Sequence, residues 1–162
     1  MLEILFQNAP ANSCTCLFVD ENLQILTNDK AVDEHPIVRE FLQSEEKQFK
    51  GELSETKLLS TLNIDKISHI LLLGVGKVSE IKDLKIQRLG SALFHVASKN
   101  CMSHIAIELD FASDLSQAQL NANLAYGALL ASYRFDHYKT DNKKSEKVRM
   151  YFTTSKDRKS VV

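Results

Sequence analysis

The densest apolar run in the chain is Ile70-Leu71-Leu72-Leu73, preceded by His69 and closed by Gly74-Val75-Gly76-Lys77. A short stretch that is apolar at every position, ended by glycine, predicts a strand covered by helices on both sides of a sheet. Upstream, Leu2 to Phe6 alternates weakly and predicts a first strand. A turn at Asn8, Pro10 and Asn12 leads into a second strand, Cys14 to Val19, and Leu23 to Leu26 reads as a further short one. His104 to Leu109 and Val148 to Thr153 complete the strand pattern.

Three stretches carry helical spacing instead. Ile37, Val38, Phe41 and Leu42 share one helical face, with Asp33 placed to cap and Pro36 tolerated in the first turn. Ser79-Glu80 reads as the opening of a second helix that ends at Lys99-Asn100. Its stripe is Ile86, Leu89, Gly90, Leu93, Val96 and Ala97, and Gly90 within it implies close approach to the sheet. Ser116 and Gln119 have capping-box spacing and open a third helix to about Phe135, with Leu120, Leu124, Gly127, Ala128 and Ala131 on its inner face. Gly127 costs about 1 kcal/mol against alanine in a helix interior, so packing must require it. Lys47 to Leu62 is read as a strand and short hairpin around Gly51. Strands and helices in this order predict an α/β domain: three layers, α/β/α, around a mixed sheet.

Composition changes this picture little. A chain of 162 residues suits one domain spanning 1–162, with 140–162 read as linker and last strand, and it buries roughly 70% of its unfolded surface. A formal net charge of -1 gives no global attraction to nucleic acid or anionic membrane. No window approaches the ~18 apolar residues needed to span a bilayer, and MLEILFQNAP has neither a basic leader nor a cleavage-site pattern. Three cysteines, Cys14, Cys16 and Cys101, do not form a disulfide framework, so a reducing, cytoplasmic setting is expected. Cys14 and Cys16 fall on one strand face as small buried side chains, too few for the four ligands of structural zinc.

Candidate chemistry is sparse. A strand followed by Gly74-Val75-Gly76-Lys77 resembles a phosphate-binding turn, but Leu71 stands where the motif needs its first glycine. Val78 stands where it needs serine or threonine, and Ser79 replaces the third glycine of a dinucleotide fingerprint. A tight strand exit is the better reading. His35, His69, His95, His104 and His137 are scattered without a metal-ligand spacing, and His104 and Glu108 share a strand face without further partners. Between Lys139 and Lys159 stand eight lysines or arginines against Asp141, Glu146 and Asp157. Such a segment can contact phosphates and is more often a solvated connector; it lacks the aromatic-basic interleaving of single-strand binders. No catalytic, cofactor-binding or metal-ligating residue is assigned.

Two stretches together resemble a known family. Ile70 to Lys77 (ILLLGVGK) is similar to the hydrophobic strand and turn in the N-terminal domain of the leucyl (cytosol) aminopeptidases. Gly127 to Thr140 (GALLASYRFDHYKT) resembles the pattern Gly-x-x-Leu-x-x-Tyr-x-Phe-x-x-Tyr-Lys that closes that domain's helix. The resemblance is strong from about Ile70 to Thr140 and weak before it.

What it implies is a macro-domain-like fold, cytoplasmic, from a metallopeptidase that releases N-terminal residues, leucine among them. Two divalent metals, manganese or zinc, would activate water and polarise the peptide carbonyl in a catalytic domain. The family's Asn-Thr-Asp-Ala-Glu-Gly-Arg motif is absent through Val162, so this stretch is expected to be inactive by itself and to hold no metal. The resemblance further implies a homo-hexamer built mainly through catalytic domains, with peptide substrates bound there. A small-molecule module of ADP-ribose-reading type and a DNA-binding module are the alternative readings.

Overall fold

In the computed structural model the described residues are 2–10, 13–26, 36–44, 49–63, 66–100, 102–108, 116–138 and 147–152. They form six strands and three helices: β1 (Leu2–Leu5), β2 (Cys14–Asp20), α1 (Pro36–Gln43), β3 (Thr56–Asn63), β4 (Lys66–Gly76), α2 (Asp83–Lys99), β5 (His104–Glu108), α3 (Gln117–Tyr138) and β6 (Val148–Phe152). The strands make one sheet in the order β1-β6-β5-β2-β4-β3. All neighbours are parallel except β3 and β4, which pair antiparallel.

The unbroken apolar run lies in β4, between β2 and β3, and its side chains divide between two cores. Leu71 and Leu73 join Cys14, Cys16 and Phe18 of β2 under α2 and α3. Ile70 and Leu72 join Leu17 and Val19 on the opposite face, beneath Val38 of α1 and Phe49. This is the expected three-layer α/β/α arrangement with a mixed sheet. Alternating residues of a two-sided strand must each find an apolar layer, which is why Cys16 to Val19 of β2 and Ile70 to Leu73 of β4 show no polar face. The Lys57 ammonium sits 5.8 Å above the Phe41 ring and ties α1 to β3.

On the other side, α2 and α3 touch backbone to backbone. A Cβ at Gly90 would stand 2.0 Å from the Leu124 carbonyl oxygen, and one at Gly127 would stand 1.9 Å from that of Gln87. The two glycines therefore face the opposite helix, not the sheet as the stripe containing Gly90 implied. Phe94 meets Phe135 edge-on, with centroids 5.9 Å apart. Asn123 bridges the helices, accepting from Gln87 at 3.0 Å and donating to Asp83 at 2.6 Å. The capping box forms as spaced: the Gln119 amide donates to Ser116 Oγ and the Ser116 amide to Gln119 Oε1.

Some boundaries differ from the sequence expectation. Val78–Glu80 is a 3-10 turn and α2 begins at Asp83, because Ile81 is drawn into the core before the helix starts. Leu23 to Leu26 contributes a single bridge, Val19 to Ile25, instead of a strand. Gly51 lies in a loop, and the hairpin is instead that of β3 and β4. The cap expected at Asp33, along with Cys101, lies outside the described residues.

Candidate functional site

In an open α/β sheet, ligands bind beyond the carboxyl ends of the strands, where successive connections diverge. Here the chain leaves β2 toward β3 and β4 but leaves β5 toward β6, so the diverging point is the end of β2. Asp20 closes that strand and is buried. Its Oδ1 accepts the amides of Asn22 and Gln24, both at 2.9 Å, so this oxygen is used by its own turn. Leu23 in that turn adopts φ 62°, an uncommon value outside glycine.

The glycines of the suspected phosphate turn are used the same way. The Gly74 amide donates to the Glu55 carbonyl at 2.7 Å, and the Gly76 amide donates to that of Gly51 at 2.9 Å. The loop is held in turn by Glu55 Oε1, which accepts the amides of Lys50 and Glu52. A Cβ at Gly74 would stand 2.1 Å from the Glu52 carbonyl oxygen, so the loop backbone fills the space a phosphate would need. Gly51 and Gly76 both take left-handed φ, 74° and 72°, which only glycine adopts at no steric cost. With both amides spent and no α-helix starting at Lys77, Gly74 to Lys77 is a packed strand exit, as its spacing indicated.

A cavity of about 230 Å³ lies at the opposite edge of the sheet, lined in part by Cys14, His69 and His104. The His69 Nδ1 pairs with Ser60 Oγ at 2.9 Å, and the His104 Nδ1 with the Tyr151 hydroxyl at 3.0 Å. Burial pushes the Cys14 thiol up to about 12, opposed only by a backbone hydrogen bond from Leu71. Cys16 is pushed up in the same direction by burial and by Cys14 beside it. A protonated buried thiol is neither a nucleophile nor a metal ligand. Among the described residues no three His, Cys, Asp or Glu side chains converge to hold a metal.

This thiol chemistry has a measurable consequence. The folded state keeps the Cys14 proton above the ordinary thiol value of 9.0, so alkali ionises the unfolded chain first. Stability is then expected to hold up to about pH 8 and to fall between about pH 9 and 12, by up to ~1.4 kcal/mol per pH unit from Cys14. Urea midpoints across that range check it, and Cys14→Ala should make the fall shallower.

The remaining sequence candidates stay apart. His95 is exposed on α2, its ring edge-on to Phe94 at 5.9 Å. His137 lies in the last turn of α3, and His35 is outside the described residues. Of the basic segment, the described part is Lys147 and β6: Lys147 pairs with Glu3, whose carboxyl it holds below the usual range, while Val148, Met150, Tyr151 and Phe152 are buried. The larger groove, about 490 Å³, runs along the outer side of the α2–α3 crossing past Leu84, Arg88, His95, Leu130 and Arg134. It offers cations and apolar surface, and no carboxylate lines it.

The comparisons supply what the geometry withholds. The model of the cytosol aminopeptidase family's N-terminal domain matches residues 17–142. The chain belongs to this family, as its N-terminal domain. A probable cytosol aminopeptidase of Rickettsia massiliae is 31% identical over 153 residues, covering 91% of this chain and 30% of the relative. That of Rickettsia rickettsii (strain Sheila Smith) is 29% identical over the same length. A tomato leucine aminopeptidase mutant superposes with a TM-score of 0.69 at 18% identity, covering 95% of this chain and 32% of that one. The bottromycin maturation enzyme BotP in complex with Mn gives 0.55 at 14% identity, over 92% and 28%. At these identities the two structures speak for the fold alone. The chain thus spans about 30% of the length of the cytosol aminopeptidases it matches. Among the described residues no helix is long and apolar enough to cross a membrane.

Proposed function

We propose that this chain is the N-terminal, non-catalytic part of a cytoplasmic leucyl aminopeptidase, an exopeptidase whose two divalent metals, manganese or zinc, and peptide-binding residues lie in a further portion. The observation that carries the reading is the family match from 17 to 142 on a chain covering under a third of its relatives. The sheet's carboxyl edge accords with it: its glycine amides are spent on a neighbouring loop, and one oxygen of its buried carboxylate on a turn. The same closure gives no support to an ADP-ribose-reading site at this turn, which would need free amides facing phosphates. The domain's part in the assembled enzyme, a homo-hexamer on this reading, is structural.

The test has two arms. The purified chain with Mn²⁺ should release no p-nitroaniline from leucine p-nitroanilide. Fused in frame to the remaining portion of the Rickettsia massiliae relative, in place of that protein's own N-terminal part, it should yield a metal-dependent leucyl hydrolase. Hydrolysis by the chain alone would overturn the proposal.

A further inference from the structure

The smaller cavity, about 230 Å³, gathers three soft donors that the proposed function does not use: the Cys14 thiol, the His69 imidazole and the Met102 thioether. The sheet sets the first two side by side. Thr15 pairs with Ile70 across β2 and β4, which places Cys14 next to His69 on strands about 4.8 Å apart. Cys14 belongs to the core under α2 and α3, and His69 falls on that same side of β4, two residues before Leu71 and four before Leu73. The Ser60 hydroxyl, opposite His69 in β3, engages Nδ1 at 2.9 Å, so Nε2 is the nitrogen left for a ligand. A metal-binding histidine is held in this way, one nitrogen on an outer partner and the other on the metal. Met102, two residues before β5, lines the cavity and packs against the same core.

The donor set says which cation the cavity suits. No carboxylate lines it, which disfavours magnesium, calcium and manganese. Structural zinc asks for four ligands drawn from cysteine, histidine and carboxylate. His104 lines the cavity too, but its Nδ1 pairs with the Tyr151 hydroxyl, and among the described residues no three such side chains converge. A thiolate and a thioether select Cu(I), and imidazole suits copper as well. Charge agrees, since one thiolate and one monovalent cation cancel and leave no net charge to be buried. The C-terminal end of α2, capped by Asn100 on the cavity wall, adds a partial negative charge that favours a cation.

We propose that Cys14, His69 and Met102 form a binding site for Cu(I). Without the metal the thiol keeps its proton and ligates nothing. Cu(I) enters past the exposed His69 and bonds to the Cys14 sulfur as the S–H bond breaks, and the proton leaves to solvent. The His69 Nε2 and the Met102 sulfur complete the ligand set. The copper stays monovalent throughout, so the step needs neither oxidant nor reductant. This cation differs in kind from the divalent pair assigned to the family's catalytic portion. The site needs only this domain and no peptide hydrolysis, so it can fail or stand separately from the catalytic reading.

Anaerobic titration against the Cu(I) complex of bathocuproine disulfonate tests it, in a Cys101→Ser background that leaves Cys14 as the thiol under test. The chain should draw one equivalent of copper from the chelator, read as loss of the complex's visible absorbance. Cys14→Ala should abolish the transfer. His69→Gln and Met102→Leu should each weaken binding by on the order of tenfold or more, since even an outer partner of a metal ligand is worth that much. His95→Gln, exposed on α2, should leave it unchanged. Copper-edge X-ray absorption should show sulfur and nitrogen neighbours. Circular dichroism should show each variant folded, and if Cys14→Ala fails to fold, the His69 and Met102 variants decide in its place. No transfer to the chain overturns the proposal, and so does copper held as tightly after His69→Gln and Met102→Leu as before.

Discussion

Gly127→Ala is expected to destabilise this domain, although alanine is the better helix former. On propensity alone the exchange would add about 1 kcal/mol to an interior helical position. Against that stands the crossing: the new Cβ would lie 1.9 Å from the Gln87 carbonyl oxygen and 2.6 Å from its carbon. The obstacle is the backbone of α2, so no rotamer change relieves it and the helices must move apart. Separation would loosen the core beneath, including Leu89, Leu93, Leu124 and Ala128. Overpacking typically costs about 1–3 kcal/mol and sometimes more, and a clash this close against backbone belongs at the upper end, so after the propensity gain the net loss should be about 2 kcal/mol. For a domain of this size that is a fall in Tm of roughly 4–8 °C. Thermal melts of Gly127→Ala and Gly127→Leu should rank below the parent in that order. A rise for the alanine variant would mean that the crossing is not made this way.

Leu71→Ala should produce the other large effect. Leu71 is fully buried in β4, facing α2 and α3 among Cys16, Leu73 and Phe18. Truncation removes most of a buried side chain and leaves a cavity that strands paired on both sides cannot close. Such deletions cost about 2–5 kcal/mol, a large fraction of the roughly 5–15 kcal/mol that holds a domain together. Urea denaturation should show a lower midpoint at an unchanged slope. Leu58→Ala makes the comparison: its partly buried side chain lies at the margin of the same core, and the loss should be well under half as large.

The elements most readable from sequence are those whose pattern is local. Ser116 and Gln119 announce a helix start because a capping box is complete within four residues, and it forms as spaced. The stripe from Ile86 to Ala97 announces α2, since the core-facing side of a helix repeats with the helical period. The stretch from Lys47 to Leu62 misleads around Gly51 because its conformation is set elsewhere. Gly51 turns where it does in order to hand its carbonyl to Gly76, twenty-five residues on. The outer face of α3 is hidden for another reason: Leu129 and Leu130 adjoin Ala128 and Ala131, and in one dimension an apolar residue does not declare its side.

HILLLGVGK shows both sides of this division. Its composition alone specifies a strand covered on two faces, because four consecutive apolar residues must alternate outward and both sides then need a layer. Family membership is also legible, in the joint spacing of this stretch and the one ending α3. What no linear reading can supply is the fate of its glycines. Whether Gly74 and Gly76 offer their amides to a phosphate or to another part of the same chain depends on what packs beside them. The loop from Gly51 to Glu55 takes that place. The contact joins residues some twenty positions apart, and only the folded backbone brings them within hydrogen-bonding distance.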